Sequence, residues 1–169
     1  MRRTERYPVK GANSLWHVYD TIPFWKVMKN FIFIQAARYS PFLSWKNFFY
    51  RAFLKMEVGK ETSFALMVMV DVMFPERIKV GDNSIIGYNT TILAHEYLID
   101  EYRIGDVIIG NRVLIGANTT ILPGIKIGDD AIVSAATLVN ADVPEGCFVG
   151  GNPMRIIYTK KQMLERNNN

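Results

Sequence analysis

The sequence predicts an all-β core folded as a parallel β-helix, with an α-helical cap at its N-terminal end and a short C-terminal tail. An apolar residue returns at every sixth position for most of the chain after Val58. A period of six is typical of parallel β-helix repeats, whereas ordinary β-strands alternate every second residue and do not keep such a phase. The repeats therefore predict three short faces per coil and several stacked coils.

The positions that lead the repeats are all apolar, which suits side chains that fill the interior of a coil. There are twelve of them: Val58, Phe64, Val70, Val80, Ile86, Ile92, Ile109, Ile115, Ile121, Ile127, Val133 and Val139. Six are followed by glycine, which suits a corner where the backbone turns tightly. The fifth residue of most repeats is small or β-branched, and such residues suit short pleated faces and cramped corners.

The repeat phase is interrupted twice. The step from Val70 to Val80 is ten residues, and the step from Ile92 to Ile109 is seventeen, one short of three repeats. We therefore place the β-helix domain at residues 57–153 and expect segment 96–107 to leave the coil as a loop. Loops on rigid repeat scaffolds are where function is commonly found.

Residues 1–56 predict a helical cap. One helix is expected to start at Thr21–Pro23, because proline is favoured in a first turn. A second is expected from Ser44, with Lys46 mostly on the opposite side from a single apolar stripe made of Trp45, Phe48, Phe49, Ala52, Phe53 and Met56. The first interpretation is that these helices face the core and cover the open end of the β-helix. The alternative is a basic, aromatic surface that contacts a membrane or the phosphate of a lipid-linked glycan.

The charge is distributed unevenly along the 169 residues, which are enough for one domain. Residues 1–60 carry a net charge of +8, residues 61–153 carry −7, and the C-terminal segment 154–169 carries +3. The acidic repeats and the lack of a nucleic-acid motif argue against a nucleic-acid partner. The one cysteine excludes an internal disulfide, and we expect a cytoplasmic protein with neither a signal peptide nor a membrane span.

The chain has only two histidines, His17 and His95. His95 falls where the repeat phase breaks, and imidazole is the side chain best suited to proton transfer near neutral pH. It is therefore a candidate general base, with a purely structural histidine as the alternative. A zinc β-helix enzyme needs three imidazoles, so we expect no metal site. Cys147 has no histidine near it in the sequence and is not expected to act as a nucleophile.

The repeats, His95, the excursion after it and the closing sequence VPEGCFVGGNPMRII resemble the hexapeptide-repeat acyltransferases. The resemblance spans roughly residues 45–158 and is nearest to the maltose/galactoside-type and exopolysaccharide-type O-acetyltransferases. The stretch VDVMFPERIKVGDNSIIGYNTTILAHEYLIDEYRIGDVIIG is particularly similar to the latter. The resemblance implies a left-handed β-helix, a homotrimer with its sites between subunits, and acetyl-CoA as cosubstrate in the groove between adjacent β-helices.

The resemblance also implies a reaction. His95 would act as general base and remove the proton from a hydroxyl of a sugar or glycan acceptor as the oxygen attacks the thioester, without a covalent enzyme intermediate. Backbone N–H groups would stabilise the oxyanion. Two alternatives remain open at this point: acetylation of an amino sugar on nitrogen, and a non-catalytic β-helix that serves as an interaction module.

Two acidic residues are candidates for binding the acceptor by resemblance. Asp71 matches the Asn or Asp that holds the acceptor near the base, with a turn residue as the alternative. Glu96 is expected to orient His95 or the acceptor, with a merely solvated carboxylate as the alternative.

Five positions are candidates for binding CoA by resemblance. Ala117 and Ala135 match the small residues at the pantetheine arm, Asn140 and Ala141 the pair at the adenine end, and Arg155 a basic residue near the phosphates. Many relatives have Thr-Lys at 140–141 and a second basic residue at position 158, where this chain has tyrosine. Lys160 or Lys161 would supply the missing charge, or both belong to a solvated tail.

Overall fold

The computed structural model describes residues 2–167. Two 3-10 helices cover Ser14–His17 and Pro75–Arg77, and the α-helices are α1 (Val18–Thr21), α2 (Phe24–Tyr39), α3 (Leu43–Ala52) and α4 (Lys160–Asn167). The strands are β1 (Glu5–Pro8), β2 (Glu57–Val58), β3 (Ser63–Phe64), β4 (Met69–Val70), β5 (Ile78–Val80), β6 (Ile85–Ile86), β7 (Thr91–Ile92), β8 (His95–Tyr97), β9 (Glu101–Ile104), β10 (Val107–Ile109), β11 (Leu114–Ile115), β12 (Thr120–Ile121), β13 (Lys126–Ile127), β14 (Ile132–Val133), β15 (Leu138–Val139), β16 (Phe148–Gly150) and β17 (Arg155–Tyr158).

Three parallel sheets form the faces of a β-helix. The first face has the order β2-β5-β10-β13, the second β3-β6-β11-β14-β16, and the third β4-β7-β12-β15. The register places each lead residue beside the lead residue of the next coil, as in the pairs Val70–Ile92 and Ile92–Ile121 on the third face. The six-residue phase predicted from the sequence is therefore confirmed.

The lead residues fill the interior, and the fifth residues close the corners. Ile86, Ile92, Ile115 and Ile121 have no exposed surface. Thr119 is also buried, and its hydroxyl donates to the carbonyl oxygen of Gly116 at 2.8 Å. A Cβ atom added at Gly116 would lie 2.4 Å from the backbone nitrogen of Ala135, so only glycine allows the coils to stack this closely at that corner.

Both interruptions of the repeat lie at one corner, between the third face and the first. After β4 the chain makes a turn and the 3-10 helix Pro75–Arg77 before it returns as β5. After β7 it leaves as the antiparallel hairpin β8–β9 and returns at Val107, within the segment predicted as a loop. The N-terminal strand β1 adds to this hairpin in the antiparallel order β1-β9-β8. The N-terminus is therefore part of the structure beside His95, which the sequence did not indicate.

The N-terminal helices cover the open end of the β-helix, as predicted, but α3 turns a different side inward. Tyr50 is buried, and its ring lies 4.7 Å from that of Phe64 in the first coil. The predicted apolar stripe is wrong at Trp45 and Phe48, which are exposed, and the opposite side contributes Lys46, which is buried. The Lys46 ammonium donates to the carbonyl oxygens of Phe64 at 3.0 Å and Ala65 at 2.7 Å.

Those two bonds explain the orientation of α3. Carbonyl groups at the end of a β-helix have no further coil to pair with, and a buried carbonyl without a donor is costly. The Lys46 side chain supplies the donors, although burial lowers the pKa of its ammonium group. A helical wheel ranks lysine as an outward residue, so hydrophobic spacing alone gives the wrong orientation.

The C-terminal segment after residue 153 contains ordered structure. Strand β17 pairs antiparallel with β16 and is followed by α4, and the Arg166 guanidinium lies 4.3 Å from the centre of the Tyr158 ring. Within residues 2–167, no helix has both the length and the apolar character needed to span a membrane.

Candidate active site

The corner that carries both interruptions brings Asp71 and His95 together. Asp71 directly follows β4, and His95 begins the hairpin that leaves after β7, the strand paired with β4. The His95 Nδ1 atom lies 2.6 Å from the Asp71 Oδ2 atom. Ala94 is buried between β7 and the hairpin, and its carbonyl oxygen accepts a hydrogen bond from the backbone N–H of Gly105 at 2.9 Å. This fixes the chain directly before His95, and the pairing of β8 with β9 fixes it after His95.

The Asp71 carboxylate is buried and surrounded by donors. Its Oδ2 atom accepts from the backbone N–H groups of Ala94 at 2.7 Å and His95 at 3.1 Å. Its Oδ1 atom accepts from the backbone N–H groups of Met73 and Phe74, both at 2.8 Å. Burial raises the pKa of Asp71, but the hydrogen bond and charge of His95 and the backbone N–H groups outweigh it, so the pKa lies below its ordinary value.

This arrangement fixes the tautomer of His95. An ionised carboxylate can only accept hydrogen bonds, so the hydrogen of the neutral imidazole lies on Nδ1 and the lone pair on Nε2. Within residues 2–167 the Nε2 atom has no hydrogen-bond partner, and it is not enclosed. The His95 side chain is 16% exposed. The geometry thus presents one proton-accepting nitrogen to the outside.

Aromatic rings flank the imidazole on two sides. The Phe74 ring centre lies 6.0 Å and the Tyr97 ring centre 5.2 Å from that of His95, both edge to face. Tyr97 contacts Tyr102 of the hairpin, which stacks on Tyr7 of β1 at 4.7 Å. Burial raises the pKa of the Tyr97 hydroxyl. The rings hold His95 in place, and they are not predictable from the sequence because they come from three separate segments.

Glu96 does not contact the His95 imidazole. Its Oε1 atom accepts a hydrogen bond from Arg2 at 2.8 Å, which ties the N-terminus to the hairpin. Its Oε2 atom is enclosed and has no partner within the described residues 2–167. Neither carboxylate oxygen of Glu96 bonds to the His95 imidazole, which is held by Asp71.

Ala117 and Ala135 stack at the corner between the second face and the third, away from the two interruptions. Ala117 follows β11 and Ala135 follows β14, the strand paired with β11. Ala135 is exposed and Ala117 half-buried. Neither backbone N–H donates to another group within the part of the chain that is described. This corner therefore offers free amide donors beside small side chains, which suits a ligand that carries amide carbonyls.

The other candidate residues for CoA lie further along the β-helix. Asn140 and Ala141 are exposed and directly follow β15 on the third face. Arg155 is exposed on β17. The Lys160 ammonium pairs with the Glu145 carboxylate, which partly neutralises it, whereas Lys161 is exposed on α4. The positive charge left for phosphate groups lies mainly at Arg155 and Lys161.

Known proteins are similar in sequence to this chain, both within the repeats and along nearly its whole length. Residues 106–141 match the sequence family described as the hexapeptide repeat of succinyl-transferase. The chain is 74% identical over 166 residues to the Bacillus subtilis (strain 168) protein named "Putative acetyltransferase YvoF", with 98% of this chain and 96% of that protein covered. The chain belongs to the hexapeptide-repeat acetyltransferases.

Solved structures share the fold of this acetyltransferase. The hexapeptide-repeat acetyltransferase VCA0836 of Vibrio cholerae O1 biovar eltor, complexed with acetyl-CoA, matches with a TM-score of 0.68 and 22% identity over 80% of this chain and 87% of that chain. A galactoside acetyltransferase in complex with CoA matches with a TM-score of 0.68 and 20% identity over 85% of this chain and 84% of that chain. The fold is therefore the left-handed parallel β-helix that the resemblance implies.

Two further features of the acetyltransferase concern metal ions and the surroundings of His95. Within residues 2–167, no group of three or more His, Cys, Asp or Glu side chains is arranged as a metal site. The His95–Asp71 pair reaches the surface of a single chain, where the His95 side chain is 16% exposed and that of Asp71 is fully buried.

Proposed function

We propose that this acetyltransferase moves an acetyl group from acetyl-CoA to a hydroxyl of a sugar or glycan, with His95 as general base. The observation that carries the proposal is the hydrogen bond between His95 and the buried Asp71, which leaves the Nε2 lone pair accessible. A general base needs an accessible lone pair and a fixed orientation. Asp71 supplies the orientation, so we assign it as a positioning residue and not as a group that binds the acceptor.

Acetyl-CoA would supply the acetyl group as a thioester. The Nε2 atom of His95 takes the proton of the acceptor hydroxyl as its oxygen bonds to the thioester carbonyl carbon. When the carbon–sulfur bond breaks, the same Nε2 atom gives the proton to the departing sulfur, so the histidine ends the cycle neutral. The Asp71 carboxylate stabilises the imidazolium that exists between these two transfers. No enzyme side chain becomes acetylated.

The free backbone N–H groups of Ala117 and Ala135 support the choice of cosubstrate. They suit the amide carbonyls of a pantetheine arm, and their small side chains leave room for it beside the coil. Asn140 and Ala141 would lie along the adenine end, and Arg155 would meet the phosphates. Two solved structures that share this fold contain acetyl-CoA or CoA.

The partial exposure of His95 and the exposed corner at Ala135 support a site completed by a neighbouring subunit, as the resemblance implies. We therefore propose a homotrimer with a site at each of its three subunit boundaries. Glu96, whose Oε1 atom accepts a hydrogen bond from Arg2 and whose Oε2 atom is enclosed, would hold the hairpin β8–β9 in position at this boundary.

Thiol release from acetyl-CoA, followed with a panel of sugars and amino sugars, tests the proposal. We expect thiol release with an acceptor that carries a hydroxyl. The acetyl group of the product should be removed by mild base, because it is bound as an ester. A base-stable amide on an amino sugar would favour N-acetylation. Absence of turnover with every acceptor, together with absence of acetyl-CoA binding, would favour a non-catalytic module.

A further inference from the structure

The N-terminal helices expose far more apolar surface than the cap requires. Within residues 2–167, 24 large apolar side chains are exposed, and thirteen of them lie between Leu15 and Phe48. Soluble proteins seldom expose large contiguous apolar patches that have no binding function. The helices thus cover the β-helix with one side and present a second apolar side outward.

Helix α2 is apolar on both sides. Its inner side packs on the end of the β-helix through the buried Ile34 and Ala37, and Asn30 donates to the carbonyl oxygen of Val72 at 2.8 Å. Its opposite side is a stripe at helical spacing, which we call the outer face: Trp25, Met28, Ile32, Ala36 and Tyr39. A helix that is apolar all round is normally enclosed by protein or contacts lipid.

The outer face continues into neighbouring aromatic residues. The Phe24 ring lies 5.4 Å from that of Trp25 and 5.7 Å from that of Tyr19. Helix α3, which packs against α2, exposes Trp45 and Phe48 as well. All three tryptophans of the chain are therefore exposed in this region, with Trp16 at 80% and Trp25 at 79%.

The charges on helices α2 and α3 are all basic. From Thr21 to Met56 the chain has six basic residues and no acidic residue. Lys29 and Lys55 are exposed there, whereas Lys26 pairs with Glu76 of the first interruption. A surface that combines aromatic and aliphatic groups with an excess of basic groups is complementary to an anionic interface that also has an apolar interior.

We propose that the outer face and its aromatic neighbours bind the surface of a membrane that contains anionic lipid. Helix α2 would lie in the plane of the interface, where its 16 residues would extend over about 24 Å. Its apolar side chains would enter the boundary of the acyl chains, its Trp and Tyr rings would lie at headgroup level, and its lysines would meet phosphate. This proposal does not depend on the acceptor or on acetyl transfer.

Vesicles test the proposal with the full-length protein. Vesicles of phosphatidylglycerol and phosphatidylcholine, added to the protein, should shift tryptophan emission to shorter wavelength and carry the protein upward in a flotation gradient. Vesicles of phosphatidylcholine alone should bind it much less. Raised salt should weaken the binding, because part of the attraction is electrostatic.

Variants locate the contact on the chain. Trp25→Ser combined with Ile32→Ser should lower the partition onto anionic vesicles about tenfold or more, because two large apolar side chains no longer enter the interface. Lys29→Gln combined with Lys55→Gln should lower it and reduce its dependence on salt. The matched control is Leu164→Ser, an exposed leucine on α4 that should leave binding unchanged. Circular dichroism and thermal unfolding verify that each variant is folded.

Three results would overturn the proposal. Wild-type protein that neither floats with anionic vesicles nor shifts its emission would do so, as would unchanged binding by the Trp25→Ser, Ile32→Ser variant. The third result has two parts: the wild type does not bind vesicles, and the variant sediments as an assembly of a different size from the wild type. That outcome would identify the outer face as an interface with a second copy, whose acidic repeats carry the complementary charge.

Discussion

The Nδ1 atom of His95 lies 2.6 Å from the Oδ2 atom of Asp71, although 24 positions separate the two residues in the chain. The strands that precede them, β4 and β7, are neighbours on the third face, and the chain leaves the repeat at the same corner after each. Within residues 2–167 Asp71 forms no other ion pair, and its remaining hydrogen bonds come from backbone N–H groups. The Asp71–His95 pair therefore depends on the stacking of the two interruptions of the repeat at one corner.

Asp71→Asn should lower kcat by about 100-fold or more while the KM for acetyl-CoA stays near the wild-type value. Asparagine can present its amide N–H to the imidazole and so favour the tautomer with hydrogen on Nε2, which is not a base toward the acceptor. Steady-state kinetics with the acceptor at saturation measures both constants. A rise in KM for acetyl-CoA with unchanged kcat would contradict the positioning role.

Asp71 should also make stability depend on pH in acid. Its pKa is lower in the folded protein than the ordinary value of 3.8, so the unfolded chain binds that proton more tightly and protonation favours unfolding. The contribution of the Asp71 carboxylate to stability is fully present above a pH of about 3.8. It is lost as the pH falls through the pKa that Asp71 has in the folded protein. The difference in unfolding free energy between wild type and Asp71→Asn, measured in urea, should therefore shrink as pH falls below 3.8. A difference that grows in acid would contradict the assignment.

Lys46→Met should destabilise the protein by about 2–3 kcal/mol, because the carbonyl groups of Phe64 and Ala65 lose a charged donor in a buried place. Lys55→Met is the matched control, since Lys55 is an exposed lysine close by, and it should change stability by less than about 0.5 kcal/mol. Urea unfolding of both variants measures the effect. Equal stability of the two variants would show that the cap does not need the Lys46 ammonium.

Ala135→Trp should raise the Kd for acetyl-CoA about tenfold or more, because a large side chain would occupy the corner assigned to the pantetheine arm. Ala135 is exposed, so the melting temperature should stay within a few degrees of wild type. Leu164→Trp on α4 serves as a control for adding an exposed indole. Isothermal titration with acetyl-CoA gives the constants, and an unchanged Kd for Ala135→Trp would place the cosubstrate elsewhere.

The sequence predicts much of the fold because the β-helix is a local rule repeated many times. Each lead residue, such as Ile121 or Val139, faces inward for the same reason, and the pairing Ile121–Val139 follows from the period alone. The position of His95 is predictable in the same way, as the point where that rule lapses.

What the sequence does not predict depends on contacts between distant segments. Strand β1 joins the hairpin through backbone pairing and through Arg2 and Glu96, and neither leaves a periodic signal. Lys46 turns inward because the two carbonyl groups that it contacts in the first coil lack other donors within residues 2–167. The resemblance places Asp71 near the acceptor, whereas the five hydrogen bonds that satisfy its carboxylate become visible only in three dimensions.

The most direct test of the central claim is the turnover of His95→Ala, measured as thiol release from acetyl-CoA with an acceptor that the wild type uses. Loss of the general base should lower kcat by about 100- to 10,000-fold with little change in the Kd for acetyl-CoA, and added imidazole should restore part of the rate. Wild-type turnover in a folded His95→Ala protein would contradict the role of His95 and the mechanism built on it.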